Sequence, residues 1–170
     1  METKEEKMEH GVTHIRPGDG RSLRVLGELV TYKTTSERTG GAYSLFEVVS
    51  EPGGGPPPHV QHREDEAFYV LEGEYEFLDD DGHTVRVGTG SLVYVPKGNL
   101  HAYKNVGTTP GRMLVSQTPG GLHERFFEEI GQEAQDKSKL TLSRGQLDAQ
   151  RIVAIAATYG IEIPPSPPSR

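Results

Sequence analysis

The strongest constraint in this chain is its punctuation. Twenty-one Gly and 12 Pro fall among 170 residues. Between Leu23 and Gln117 they cut the sequence into short apolar runs that no long helix could use. The runs are Leu23–Thr31, Ala42–Val49, Ala67–Leu71, Tyr75–Leu78, Thr84–Val87, Ser91–Val95, Ala102–Val106 and Arg112–Gln117. Their length and alternation predict strands. Turn signals separate them, among them Glu51–Pro58, Pro96–Asn99 and the Asp81-Gly82 pair, which reads as a hairpin turn. With no helix predicted between them, about eight short antiparallel strands describe an all-β sandwich or closed barrel.

The texture changes after Pro119. Leu122–Ile130 sets Phe126, Phe127 and Ile130 on one side, and Leu147–Tyr159 sets Leu147, Ile152, Ile155 and Ala156 likewise. Both predict amphipathic helices, the second stopped at Gly160. Gly131–Leu142 reads as a polar connector. The expected organisation is a flexible arm over residues 1–22, a β-barrel over 23–118, a helical segment over 119–163 and a Pro-rich tail over 164–170.

Zero cysteines exclude disulfides, thiolate ligands and cysteine nucleophiles. A net charge of -7, with no run of Lys and Arg, argues against nucleic acid as a partner. No stretch approaches the ~20 apolar residues of a membrane helix. The polar N-terminus METKEEKMEHGVTH lacks the apolar core of a signal peptide. A cytoplasmic protein that meets neither membrane nor nucleic acid is expected.

Chemistry concentrates in two spaced motifs. Gly53, His59, Glu66 and Gly73 match G-x5-H-x-H-x3,4-E-x6-G, with Gln61 at the second histidine. Gly90, Pro96, Gly98, His101 and Asn105 match G-x5-P-x-G-x2-H-x3-N in full. In this order and separation the pair resembles the cupin family. The text PPPHVQHREDEAFYVLEGEYEF, with QTPGGLHERFFEEIG further on, is similar to single-domain bacterial cupins described as quercetin 2,3-dioxygenase-like. The resemblance implies a double-stranded β-helix, or jelly-roll barrel, carrying C-terminal helices. It also implies a divalent transition metal (iron, manganese, nickel, copper or zinc) held by His59, Glu66 and His101.

Residues 59 and 61 of a strand share a face, so Gln61 stands where a fourth ligand would. It ligates weakly, or hydrogen-bonds a metal-bound water, or the register slips by one. In the last case His62 becomes the alternative ligand and Val60 takes the first histidine's place. Otherwise His62 is expected on the outside, His123 on a helix surface, and two of Glu64, Asp65 and Glu66 on a solvated rim. In the family Glu66 corresponds to the base that removes a substrate hydroxyl proton. Phe68, Tyr75, Phe77, Tyr103 and Met113 are candidates for lining a substrate cavity, with core packing as the competing role.

The implied activity is oxidative cleavage of an aromatic or enolic small molecule. Alternatives are a metal-dependent isomerase or lyase, or a binder without catalysis. The family also implies a homodimer, with residues 10–31 as the segment exchanged between copies.

Overall fold

The computed structural model describes residues 11–138 and 148–165. Residues 1–10 of the expected arm, Leu147, and parts of the polar connector and the Pro-rich tail lie outside the described residues. Among the described residues, twelve strands form two antiparallel sheets. In chain order they are β1 (Ser22–Val25), β2 (Glu28–Thr34), β3 (Ser44–Ser50), β4 (His59–Gln61), β5 (Asp65–Glu72), β6 (Glu74–Leu78), β7 (Thr84–Gly88), β8 (Leu92–Val95), β9 (Leu100–Asn105), β10 (Gly111–Thr118), β11 (Gln132–Glu133) and β12 (Ile161–Glu162). One sheet runs β11-β1-β2-β3-β10-β5-β8 and the other β12-β4-β9-β6-β7. The architecture is the expected double-stranded β-helix.

Alternation along the strands places the core between the sheets. In β3 the pattern puts Ser44, Phe46, Val48 and Ser50 inside and their neighbours further out. Phe46, Phe68, Val70, Tyr75 and Met113 are almost wholly buried in one apolar cluster. At roughly 25 cal/mol per Å2 of apolar surface, side chains of this kind contribute most of the drive to fold.

Several elements differ from the sequence expectation. The single run Leu23–Thr31 is two strands, β1 and β2, paired through Val25↔Glu28. Leu26 and Gly27 form the turn with φ of 49° and 92°, the left-handed pair that a two-residue hairpin of this twist requires. An apolar Leu at such a turn carries no sequence signal. A one-turn helix, α1 (Ser36–Thr39), interrupts the strands and ends at Gly40. The polar connector contributes β11, whose residues pair with Leu23 and Arg24.

Helix α2 (Leu122–Ile130) lies against the barrel, with Phe127 and Ile130 packed on the main core. Helix α3 (Ala149–Thr158) starts at Asp148, whose side chain accepts the Arg151 N–H. Together with Ile161, Ile155 and Ala156 of α3 form a second cluster around Phe126.

Candidate metal centre

The second sheet aligns the histidines. His59 of β4 lies directly opposite His101 of β9, and their rings sit 4.3 Å apart. The turn Pro96–Asn99 fixes this register. Gly98, at φ 89°, donates its N–H to the Gln61 carbonyl at 2.8 Å and so ties the turn that launches β9 to β4. Motif ends are joined as well: Gly53 N–H donates to Asn105 O, and Asn105 N–H to Gly54 O. The Asn105 side chain donates to the carbonyls of Ser50 and Thr109, which gives that motif position a structural task. Glu66 comes from the other sheet, on β5 opposite Gln117 of β10.

His59, Glu66 and His101 are all buried, and one donor atom from each lies within 4.8 Å of the others. His59 Nδ1 sits 3.0 Å from the Pro57 carbonyl and His101 Nδ1 3.2 Å from the Asn99 carbonyl. A carbonyl only accepts, so both Nδ1 atoms carry the proton and both Nε2 atoms turn a lone pair inward. His101 Nε2 then stands 2.8 Å from Glu66 Oε2, and His59 Nε2 3.8 Å from it. Neither His101 Nε2 nor Glu66 Oε2 has a hydrogen-bond partner. Acceptors facing one another in a dry interior need a cation between them: a proton on His101 or a metal ion. Two imidazoles and a carboxylate, each ring oriented through its far nitrogen, fit a divalent transition metal.

The electrostatics agree. Burial pushes the Glu66 carboxyl up, but the contacts with His101 and His59 and the charge of His123 prevail and hold it well below the usual carboxylate range. Burial lowers His101, yet the Glu66 contact outweighs it and leaves the ring above its ordinary value.

A third histidine reaches the site, contrary to the helix-surface expectation. His123 is only 5% exposed. Its Nδ1 lies 2.8 Å from Glu64 Oε2 and its Nε2 3.7 Å from Glu66 Oε1. Burial lowers it, but the Glu64 hydrogen bond and the two carboxylate charges raise it overall. Its position was detectable: His123 precedes Phe126, Phe127 and Ile130 by three, four and seven residues, on the apolar face of α2. Glu64, assigned to a solvated rim, is wholly buried. One of its oxygens accepts the N–H groups of Leu122 (2.8 Å) and His123 (3.4 Å), which caps α2. Gln117 donates to Glu66 Oε1 at 3.1 Å.

Gln61 faces inward with His59, but its amide is engaged elsewhere. Nε2 donates to Glu64 Oε2 at 3.1 Å and lies 3.0 Å from His123 Nδ1, while Oε1 accepts the Arg63 N–H. His62 does not join the cluster; it is half exposed and pairs with Glu162 at the surface, which removes the slipped register. An apolar chamber opens beside the cluster. Phe68 and Tyr103 share its wall with His59, Glu66, Gln117 and His123. Tyr75, Phe77 and Met113 are packed in the core and are not part of that wall.

A jelly roll with a buried His-His-Glu cluster at an apolar chamber is a small β-barrel with a candidate metal site. The Cupin domain family matches residues 46–116, a little under half of the chain. A germin-like protein (subfamily 2 member 2) of Arabidopsis thaliana is 38% identical over 84 residues, covering 45% of this chain and 38% of the relative. The chain thus spans less than half the length of that relative. Among solved structures, a predicted oxalate decarboxylase of Thermotoga maritima matches with TM-score 0.58 at 21% identity, covering 62% of this chain and 98% of that one. The polyketide cyclase RemF of Streptomyces resistomycificus matches with TM-score 0.57 at 24% identity, covering 63% and 79%. Both likenesses are of fold.

Proposed function

We propose that this protein is a metal-dependent oxidoreductase of the quercetin 2,3-dioxygenase-like kind, which opens an aromatic or enolic small molecule with dioxygen. His59, Glu66 and His101 are its metal ligands. The observation that carries the reading is the convergence of donor atoms from three buried residues beside an apolar chamber whose wall includes His59 and Glu66. A divalent transition metal there supplies Lewis-acid activation of an enol and redox capacity towards dioxygen.

The chain's own groups then divide the remaining work. Glu66 Oε1, held by Gln117 and faced by His123, is the basic atom that receives the substrate hydroxyl proton. His123 and Glu64 set the orientation of that oxygen from the outer side. Phe68, Phe126 and Phe127 exclude water from the chamber and offer flat surfaces to an aromatic ring. We further propose a homodimer. Leu92 and Tyr94 on the edge strand β8 and Tyr69 on β5 are exposed apolar residues at one sheet edge, which supports a second copy as the cover.

The test is oxygen uptake by metal-loaded protein against a flavonol panel. Stoichiometric uptake is expected. Turnover under anaerobic conditions would replace the dioxygenase reading with an isomerase or lyase using the same ligands.

A further inference from the structure

The chamber has a second polar end. Glu28 and Tyr103 belong to the same wall as His59 and Glu66. Glu28 lies opposite Ser50, and Ser50 opposite Gly111; Glu66 lies opposite Gln117, which is six residues further along β10. The two carboxyls therefore stand at different heights of the barrel. Tyr103 spans part of the interval. It follows His101 by two residues on the same face of β9, about 7 Å along the strand. Its hydroxyl donates to both Glu28 oxygens, at 3.1 and 2.9 Å. Ser50 Oγ donates to Glu28 Oε1. Beside them the Tyr75 hydroxyl is buried without a hydrogen-bond partner, its ring against that of Tyr103.

Glu28 is unusual for its surroundings. It is 7% exposed, and among the described residues its partners are hydroxyl groups, with no cation paired to it. A buried carboxyl without a cation is costly, and apolar side chains would pack this site at lower cost. Burial pushes it up to about 7, against the opposing hydrogen bonds of Ser50 and Tyr103. A carboxyl in that range both donates and accepts near neutrality, which suits an uncharged hydroxyl group.

We propose that Glu28, set in place by Ser50 and Tyr103, is the distal recognition point of the chamber. It hydrogen-bonds a hydroxyl on an elongated, mostly apolar ligand whose other end lies at the His59–Glu66–His101 cluster. This rests on the reading of that cluster as a metal centre for aromatic or enolic compounds. It assigns the specificity of the site to a residue outside both sequence motifs.

The probes are two flavonols that share the chelating end: kaempferol, which has a hydroxyl on its far ring, and galangin, which lacks it. They are titrated without oxygen into zinc-loaded protein, so that neither is consumed. A site built around a hydrogen bond to a hydroxyl rejects the analogue lacking it, so wild type is expected to favour kaempferol by about 10-fold or more. Glu28→Leu is expected to bring the ratio to about 1 with zinc content unchanged. Where that variant is insoluble, Glu28→Gln is read instead, with the ratio falling by about threefold or more. Equal affinities in wild type, or a preference that survives substitution, would overturn the distal point while leaving the flavonol reading intact. Binding of neither flavonol to zinc-loaded wild type would overturn both. Failure of wild type to hold zinc would sink the metal centre beneath them.

Discussion

At the scale of single residues, each histidine of the site is defined by what its other nitrogen does. His59 and His101 give Nδ1–H to backbone carbonyls, and His123 directs Nδ1 at Glu64. All three present Nε2 towards Glu66. On the proposed ligand set, His101→Ala takes away one of three donors from outside the apolar core, so elemental analysis should show bound metal lost; full metal content in that variant would refute the ligand set. The motif spacing made His59, Glu66 and His101 legible because strand alternation and fixed turns translate spacing directly into position. Glu64 and His123 were not legible in the same way. Glu64 lies in the bend between β4 and β5, where alternation carries no information, and its burial depends on a helix 58 residues away. His123 had a helical signal that sets it on the apolar face with Phe126 and Phe127, but its approach to Glu66 follows only from where α2 is seated on the barrel.

At the scale of elements, α2 is held at both sides of its first turn by buried carboxylates. Glu64 caps its N–H groups from the barrel. Glu124, from the helix itself, reaches Ser36 and Ser44 on the neighbouring sheet. Glu64→Ala strips the cap and leaves His123 and Gln61 without their acceptor. A loss of about 3 kcal/mol is expected, read as a lower melting temperature or urea midpoint. A change within about 0.5 kcal/mol would mean that the clasp contributes no more than an ordinary surface contact. Strand texture was plain in the sequence wherever runs reached four residues. β11 and β12, at two residues each, are below any periodicity, and they exist because β1 and β4 offered open edges to pair with.

At the scale of the whole molecule, burial makes stability a function of pH. Glu28 is raised from its ordinary 4.5 to about 7 in the folded chain. A raised carboxyl favours folding only while it is protonated. Its penalty is absent below about pH 4.5, grows as pH rises, and is complete above about 7, reaching roughly 3 kcal/mol. Glu28→Gln carries no such term, so its stability relative to wild type should climb by about that amount between pH 4 and 8 in metal-free protein. A flat difference would show that the carboxyl is not desolvated as the structure has it. Subtracting the two profiles cancels the other titrations. His101 stabilises below its ordinary value and loses that contribution as pH rises through its folded one. Glu66 stabilises above its ordinary value and loses that contribution as pH falls through its folded one.

The chamber wall includes Phe126, Phe127, Ile161 and Ile163, all later in the chain than the second motif. Ile161 is seated by pairing β12 with β4 at Gln61, two residues from His59. Synthesis therefore delivers the site in two instalments. A nascent chain extruded from the ribosome as far as Asn105 already carries all three donor residues, yet lacks this part of the chamber wall. Chemistry is specified early and selectivity late. A ribosome-stalled chain ending before Ile161 would be a natural form in which to ask whether metal alone can be taken up before any choice of organic ligand is made.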